Sequence, residues 1–318
     1  MAELMEQETD QITINQTKVT ESCQNLKAKG YKIMVVYQPI TGQSVSRDFY
    51  VSMLTTLSGE IFNYMMEKHH VIIKPVVSGH FPIDYNRNAA VQDAIDRYKA
   101  DYMFFMDTDQ TFPGMAIVQL YEAMLEMQKV SGLCVMAGMY FLKKCPWSPV
   151  FGRYTPMTDV DSIKHKDFLE RHGWMHNGQQ TRFWNHVQFW ERNSIFKVDV
   201  IGAGCMMMDT DIFKRLKKPY FKYSPDPRNE DETLLKASED MWFCSQLYKN
   251  NVPIYMNSAI SCGHLAHYEA NEALFVSNRD ALYSGLDKEK RSELYGKILD
   301  VRGEEEKAKF RKEVLEEV

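Results

Sequence analysis

Short apolar runs alternate with stretches of helical period through the first half of the chain, and that alternation restricts the fold more than any other feature. "YKIMVVYQPI" (31–40) is an apolar run ended by Pro39 and Gly42, which suits a buried strand. Leu54, Leu57, Ile61, Phe62 and Met65 then recur at helical spacing. "VIIKPVV" (71–77) reads as a second strand, and Ala90, Val91, Ala94, Ile95 and Tyr98 mark a helix face beyond it. "DYMFFMD" is a third strand, Ile117, Leu120, Tyr121, Met124 and Leu125 a further helix, and "GLCVMAGMYF" (132–141) a fourth strand. This order predicts βαβ units and a mostly parallel sheet flanked by helices. Ligands of such sheets bind at the carboxyl ends of the strands.

The remaining bulk properties narrow the class. At 318 residues the chain fits one large α/β domain or two small ones. Hydrophobic and charged contents of 44% and 25% are ordinary for a globular protein. A net charge of -5 and a pI near 6.0 give no global field toward nucleic acid or an anionic membrane. The six cysteines (Cys23, Cys134, Cys145, Cys205, Cys244, Cys262) form no CxxC pair, so free thiols in a reducing compartment are expected. The acidic, polar start (MAELMEQETDQITINQ) lacks the basic and apolar regions of a signal peptide. No run approaches the roughly 18 apolar residues of a membrane span. A cytoplasmic protein is expected.

Residues 1–29 are polar and read as an arm, frayed or helical with a partner. From Lys143 to Arg192 the period is lost and Trp147, Trp174, Trp184 and Trp190 cluster, which suggests an aromatic insertion at 143–192 over the sheet edge. Pattern resumes with "IFKVDVIGAGCMMMD", helical "TDIFKRL", the helix "SEDMWFCSQLYKN", the strand "VPIYMNSAI", and "SCGHLAHYE". The main domain is expected over 30–285, and the charged residues 286–318 as a helical, solvated tail.

Asp-Thr-Asp occurs twice. Asp107 and Asp109 follow the third strand, where the chain turns toward Pro113 and Gly114. Alternate residues of an extended segment point one way, so the two carboxylates can converge on a hard cation, Mg²⁺ or Mn²⁺. An Asp-rich turn is the other reading. Asp209 and Asp211 instead precede helical "IFKRL", where Asp209 or Thr210 is placed to cap and Asp211 faces the helix dipole. Glu239 and Asp240 open a helix, and His264 follows Gly263 beyond a strand. Each taken alone is ordinary.

Taken in order, strand–Asp-x-Asp, then Glu-Asp on a helix about 130 residues on, then His after the next strand, resembles the GT-A family of nucleotide-sugar glycosyltransferases, in particular soluble family-2-like enzymes. The resemblance covers roughly residues 31–268 and implies the following roles. The loop "YQPITGQ" would hold the nucleotide base with Tyr37, Gln38 and Pro39. Arg87 and Asn88 would meet the diphosphate, Arg87 bidentately. Asp107, Asp109 and His264 would hold Mn²⁺ or Mg²⁺, with Asp107 also near the ribose and His267 as a substitute for His264. Gly202 and Gly204 would let the backbone approach the sugar or acceptor. Asp240, or Glu239, would be the general base on an acceptor hydroxyl, which implies inversion, although retaining members carry similar residues. The implied reaction is metal-dependent sugar transfer from a UDP- or GDP-type donor. The acceptor is open among a glycan, a protein, a small molecule and a modified nucleic-acid base.

Some features depart from the family. The common Asp after the first strand is missing, and "QQTRFW" (179–184) matches the Gln-x-x-Arg-Trp of processive synthases only loosely. A sugar nucleotidyltransferase would need a long Gly-rich loop after the first strand, where "PITGQSVSRDF" has one Gly. A glycoside hydrolase would use two carboxylates without a nucleotide metal site. A non-catalytic nucleotide-sugar binding module remains a further alternative. His172 and His176, basic "FKRLKKPYFKY" (213–223) and Met206 to Met208 read as surface, solvated helix end and core.

Overall fold

The structure is a computed structural model. It describes residues 17–39, 45–78, 82–143, 148–154, 184–187, 189–225 and 236–266, with short pieces at 175–176, 179–180, 269–270 and 275. The tail 286–318, His172, His267 and residues 1–16 lie outside the described residues. The strands used below are β1 (Lys32–Gln38), β2 (Val71–Val77), β3 (Tyr102–Met106), β4 (Gln110–Thr111), β5 (Val135–Met139), β6 (Phe151–Tyr154), β7 (Trp184–His186), β8 (Ile195–Val198), β9 (Val200–Ile201), β10 (Cys205–Asp209), β11 (Ile254–Ser261) and β12 (Gly263–Leu265). The helices are α1 (17–28), α2 (Arg47–Thr56), α3 (Gly59–His69), α4 (Ile83–Asp96), α5 (Ala116–Ser131) and α6 (Glu239–Lys249).

Seven strands form the central sheet in the order β8-β11-β5-β10-β3-β1-β2. Only β8 and β10 run against the rest, so the sheet is mostly parallel, as expected of a GT-A-like α/β fold. The apolar runs are long because central strands are covered on both faces. In β1, Ile33, Val35 and Tyr37 enter one core cluster while Met34 and Val36 enter the other. Helices follow that split: Cys23 of α1, Ala90 and Ala94 of α4 and Phe243 of α6 pack on the first face. Phe49 of α2, Met65 of α3 and Leu120 of α5 pack on the second. The result is three layers. No helix among the described residues is long and apolar enough to cross a membrane, and the five described cysteines are free and buried.

Two local expectations change. The apolar positions from Leu54 to Met65 belong to two helices, because Ser58 caps a new one, its Oγ accepting from Ile61 N at 3.4 Å. Leu54 is consequently 52% exposed. Residues 17–28 of the expected polar arm form a helix whose Val19, Cys23 and Leu26 share one face on the sheet. Three apolar residues are too few to announce it by periodicity. The aromatic segment contributes to the core as well: Trp190 stacks on Phe275, ring centroids 5.0 Å apart, and meets Phe151 edge-on. Trp147 and Trp174 lie outside the described residues. Asp209 caps the 3₁₀ turn Thr210–Lys214 as expected, its Oδ1 accepting from Asp211 N at 2.8 Å. Pro75 sits in β2, the outermost strand, where a missing N–H is tolerated.

Candidate active site

The parallel strands β1 and β3 and the reversed β10 bring their site-facing ends to one rim. Cys205 opens β10 opposite Met106 at the end of β3, and Asp107 N donates to Gly204 O at 2.9 Å. The short β4 pairs with β12, setting His264 opposite Gln110, and Leu265 N donates to Asp109 O at 2.7 Å. That pairing carries His264 to the acidic turn from 155 positions away, 264 minus 109. Together with the first turn of α6 these elements enclose a cavity of about 640 Å³ lined by Asp107, Asp109, Glu239, Asp240 and His264. Pro82 and Ile83 at the start of α4, and Ser238 at the start of α6, also line it. Two helix N-termini therefore turn their positive ends to the cavity.

Arg87 is the hub of the acidic cluster. Its Nη1 donates to Glu239 Oε1 and Asp240 Oδ1, and its Nη2 to Asp107 Oδ2 at 3.0 Å and Oδ1 at 3.2 Å. The guanidinium is 3% exposed and lies 6.0 and 5.8 Å from the rings of Phe105 and Phe221. Burial opposes its charge, but the three carboxylates outweigh burial and raise its pKa. Arg87 is thus engaged as a counter-ion inside the wall, where the resemblance implied a clamp on the diphosphate.

The carboxylates differ in their surroundings. Burial raises Asp240 to about 7 against the opposing pull of Arg87, with Glu239 adding to the rise. Burial also raises Asp107, again opposed by Arg87. Asp109 is the reverse case: the neighbouring His264 and Lys143 overcome burial and bring it down to about 2. Lys143 Nζ donates to Asp109 Oδ2 at 2.6 Å, and His264 Nε2 stands 3.6 Å from the same oxygen.

His264 fits a metal ligand in its orientation. Its Nδ1 lies 2.6 Å from Phe141 O, and since a carbonyl only accepts, Nδ1 carries the proton. That bond leaves Nε2 as the ring nitrogen that faces Asp109, the orientation that second-sphere bonds impose on metal-bound histidine. Among the described residues no three His, Cys, Asp or Glu side chains form a preformed metal cluster. Asp107, expected to share the ion with Asp109, is turned onto Arg87. Mg²⁺ and Mn²⁺ sites are commonly completed by substrate phosphates and water, so a carboxylate and an imidazole fit such an ion.

Other predicted residues are distributed unevenly. Pro39 lines the cavity and its carbonyl accepts from Thr108 Oγ1 at 3.1 Å. Tyr37 is buried in the core, donating to Asn86 O at 3.2 Å and edge-on to Phe105, so it is not placed to stack on a base. Gln38 is likewise buried, 3.7 Å from Met106 Sδ. Asn88 braces the fold, where the resemblance implied a diphosphate contact: its Nδ2 donates to Asp84 O and Phe221 O, and its Oδ1 accepts from Tyr220 N and Phe221 N. Its hydrogen-bonding capacity is consumed by the fold.

Gly202 and Gly204 are close-approach positions, although what approaches is the protein's own side chains. A Cβ at Gly202 would stand 1.8 Å from Tyr140 Oη, and one at Gly204 would stand 1.9 Å from Gln110 Nε2. Gly202→Ala should cost about 1–3 kcal/mol, because the Tyr140 ring is rigid and buried. Gly204→Ala should cost less, since the Gln110 amide ends a flexible side chain. Chemical denaturation of both variants checks this ordering, and a reversed order refutes it. The sequence reading missed Lys143, Gln110 and Tyr140. Of these, Gln110 had a signal, since it directly follows Asp109.

No described protein family matches the sequence, and no curated protein does either. Among solved structures the fold is similar to that of A197 from STIV, at a TM-score of 0.43 and 15% identity, over 73% of this chain and 85% of that one. It is similar to GalNAc-T7, crystallised with UDP, GalNAc and Mn²⁺, at a TM-score of 0.41 and 10% identity. That match takes in 90% of this chain and 55% of that one, so this chain spans about half of the GalNAc-T7 chain. It is also similar to S. aureus TarS 1-349, at 0.33 and 12% identity, over 85% and 71% of the two chains. These likenesses assign no activity.

Proposed function

We propose that the protein transfers a sugar from a nucleoside-diphosphate sugar to an acceptor hydroxyl, with Mn²⁺ or Mg²⁺ bound by Asp109 and His264. The observation that carries the reading is convergence. Asp107 and Asp109 from the β3 exit, His264 from β12 and Asp240 from α6 meet at one cavity on the carboxyl rim of the sheet.

Charge balance supports a cation there. Among the described residues, Asp107, Asp109, Glu239 and Asp240 face Arg87 and Lys143, so four negative charges meet two positive ones and the surplus is two when all are ionised. A diphosphate entering that field unaccompanied is repelled. The bound ion supplies the positive charge that neutralises the departing diphosphate. Asp240, raised to about 7, accepts the acceptor's hydroxyl proton as that oxygen attacks the anomeric carbon. Arg87 holds Asp240 and Glu239 in place, and Tyr140, kept a phenol by burial, closes the cavity beside His264 with ring centroids 5.4 Å apart.

The test is donor turnover. Incubation with UDP-, GDP- and dTDP-sugars plus Mn²⁺ should release free nucleoside diphosphate from one donor, and chelation should stop it. Turnover that requires pyrophosphate would instead make the protein a nucleotidyltransferase. Donor binding with no release on any acceptor panel would leave a binding module.

A further inference from the structure

We propose that Lys143 is a transferable counter-ion: its ammonium neutralises Asp109 until a divalent cation takes its place, and then moves to the donor's diphosphate. This rests on the reading that the site binds a cation and a diphosphate. The position of Lys143 motivates it. Its Nζ is 2.6 Å from Asp109 Oδ2, the oxygen that also faces His264 Nε2 at 3.6 Å. The ammonium therefore sits on the oxygen a divalent cation would need. Two cations on one carboxylate oxygen repel each other strongly, so occupancy by the metal expels the ammonium.

Mobility distinguishes Lys143 from the other cation of the site. Arg87 is 3% exposed and committed to three carboxylates. Lys143 is 35% exposed and its partner Asp109 48% exposed, so their pair is readily broken. An ammonium on a four-carbon stem can be redirected, whereas a buried guanidinium fork cannot. Lys143 follows Leu142, which lines the cavity, so its head remains beside the rim when it leaves Asp109. The incoming diphosphate is the anion brought to that rim. With Arg87 engaged by its carboxylates, Lys143 is the cationic side chain among the described residues placed to receive it.

The prediction has opposite signs for two ligands. By calorimetry on the full chain, Lys143→Met should bind Mn²⁺ alone about tenfold more tightly than wild type, because a competing cation is gone. In saturating Mn²⁺ the same variant should bind UDP or GDP at least about tenfold more weakly. Lys143→Arg should restore much of the diphosphate affinity. A merely structural role would weaken both ligands together. Wild type that binds neither Mn²⁺ nor a nucleoside diphosphate overturns the reading of the whole site. Wild type that binds both, with a Lys143→Met variant that binds each equally well or Mn²⁺ more weakly, overturns the role of Lys143 alone.

Discussion

Arg87→Leu should destabilise the fold by about 3–5 kcal/mol and lower the melting temperature by on the order of 10 °C. The cause is what remains rather than what is lost. Asp107, Glu239 and Asp240 would be left facing one another, their side chains 20%, 6% and 20% exposed, without their shared cation. Removing one partner of a buried ionic cluster costs more than the cluster's net worth, because the orphaned charges stay desolvated. Arg87→Lys should rescue only in part, since an ammonium cannot reproduce the planar fork that serves three carboxylates at once. Adding Asp240→Asn to Arg87→Leu should recover part of the loss by deleting one orphaned charge. A thermal melt of Arg87→Leu within about 2 °C of wild type would show the cluster contributes nothing to stability.

Asp240→Asn should reduce sugar transfer by about 10²–10⁴-fold, the usual worth of a general base, while donor affinity stays within about twofold of wild type. The wild-type rate should rise to a plateau as pH passes through about 7, where Asp240 ionises, and the variant should lack that limb. Stability carries an independent sign. Burial lifts the folded-state pKa above the ordinary 3.8, so the folded state holds more protons than the unfolded one between 3.8 and about 7. Stability therefore declines as pH rises through that window. Asp240→Asn removes the decline and should melt higher than wild type at pH 8. Equal pH–rate profiles for the two proteins would rule Asp240 out as the base, whatever their melting temperatures.

Much of this frame was legible in the residues, and what escaped has identifiable causes. Continuous apolar runs located β1, β3 and β5 because strands covered on both faces leave no polar alternation to misread. The cap in the second Asp-Thr-Asp segment was readable because capping depends on immediate neighbours, and Asp209 does cap. The partnerships were harder to see. Nothing local says that Arg87 will be claimed by Glu239 and Asp240 152 and 153 positions on, or that Lys143 will reach Asp109. Those pairings are set by which strands adjoin. The brace at Asn88 was hidden for the related reason that an amide at a helix start serves ligand or backbone equally well, and only the path of the 219–221 segment shows its backbone partners. Tyr37 still lies within β1, whose two faces are both covered, so its ring packs in the core, while Pro39 lies past the strand's end and lines the cavity.

Pro75 has an effect beyond the site. β2 ends the sheet, and along an open border every amide hydrogen invites a strand from another molecule. The pyrrolidine ring removes one such hydrogen from the middle of that border, and Lys74 beside it adds a charge that a neighbouring copy would have to bury. The border is thereby a poor template for polymerisation. A chain whose parallel strands must wait for distant segments to arrive is sticky while it folds, and this side of the sheet is guarded during that interval.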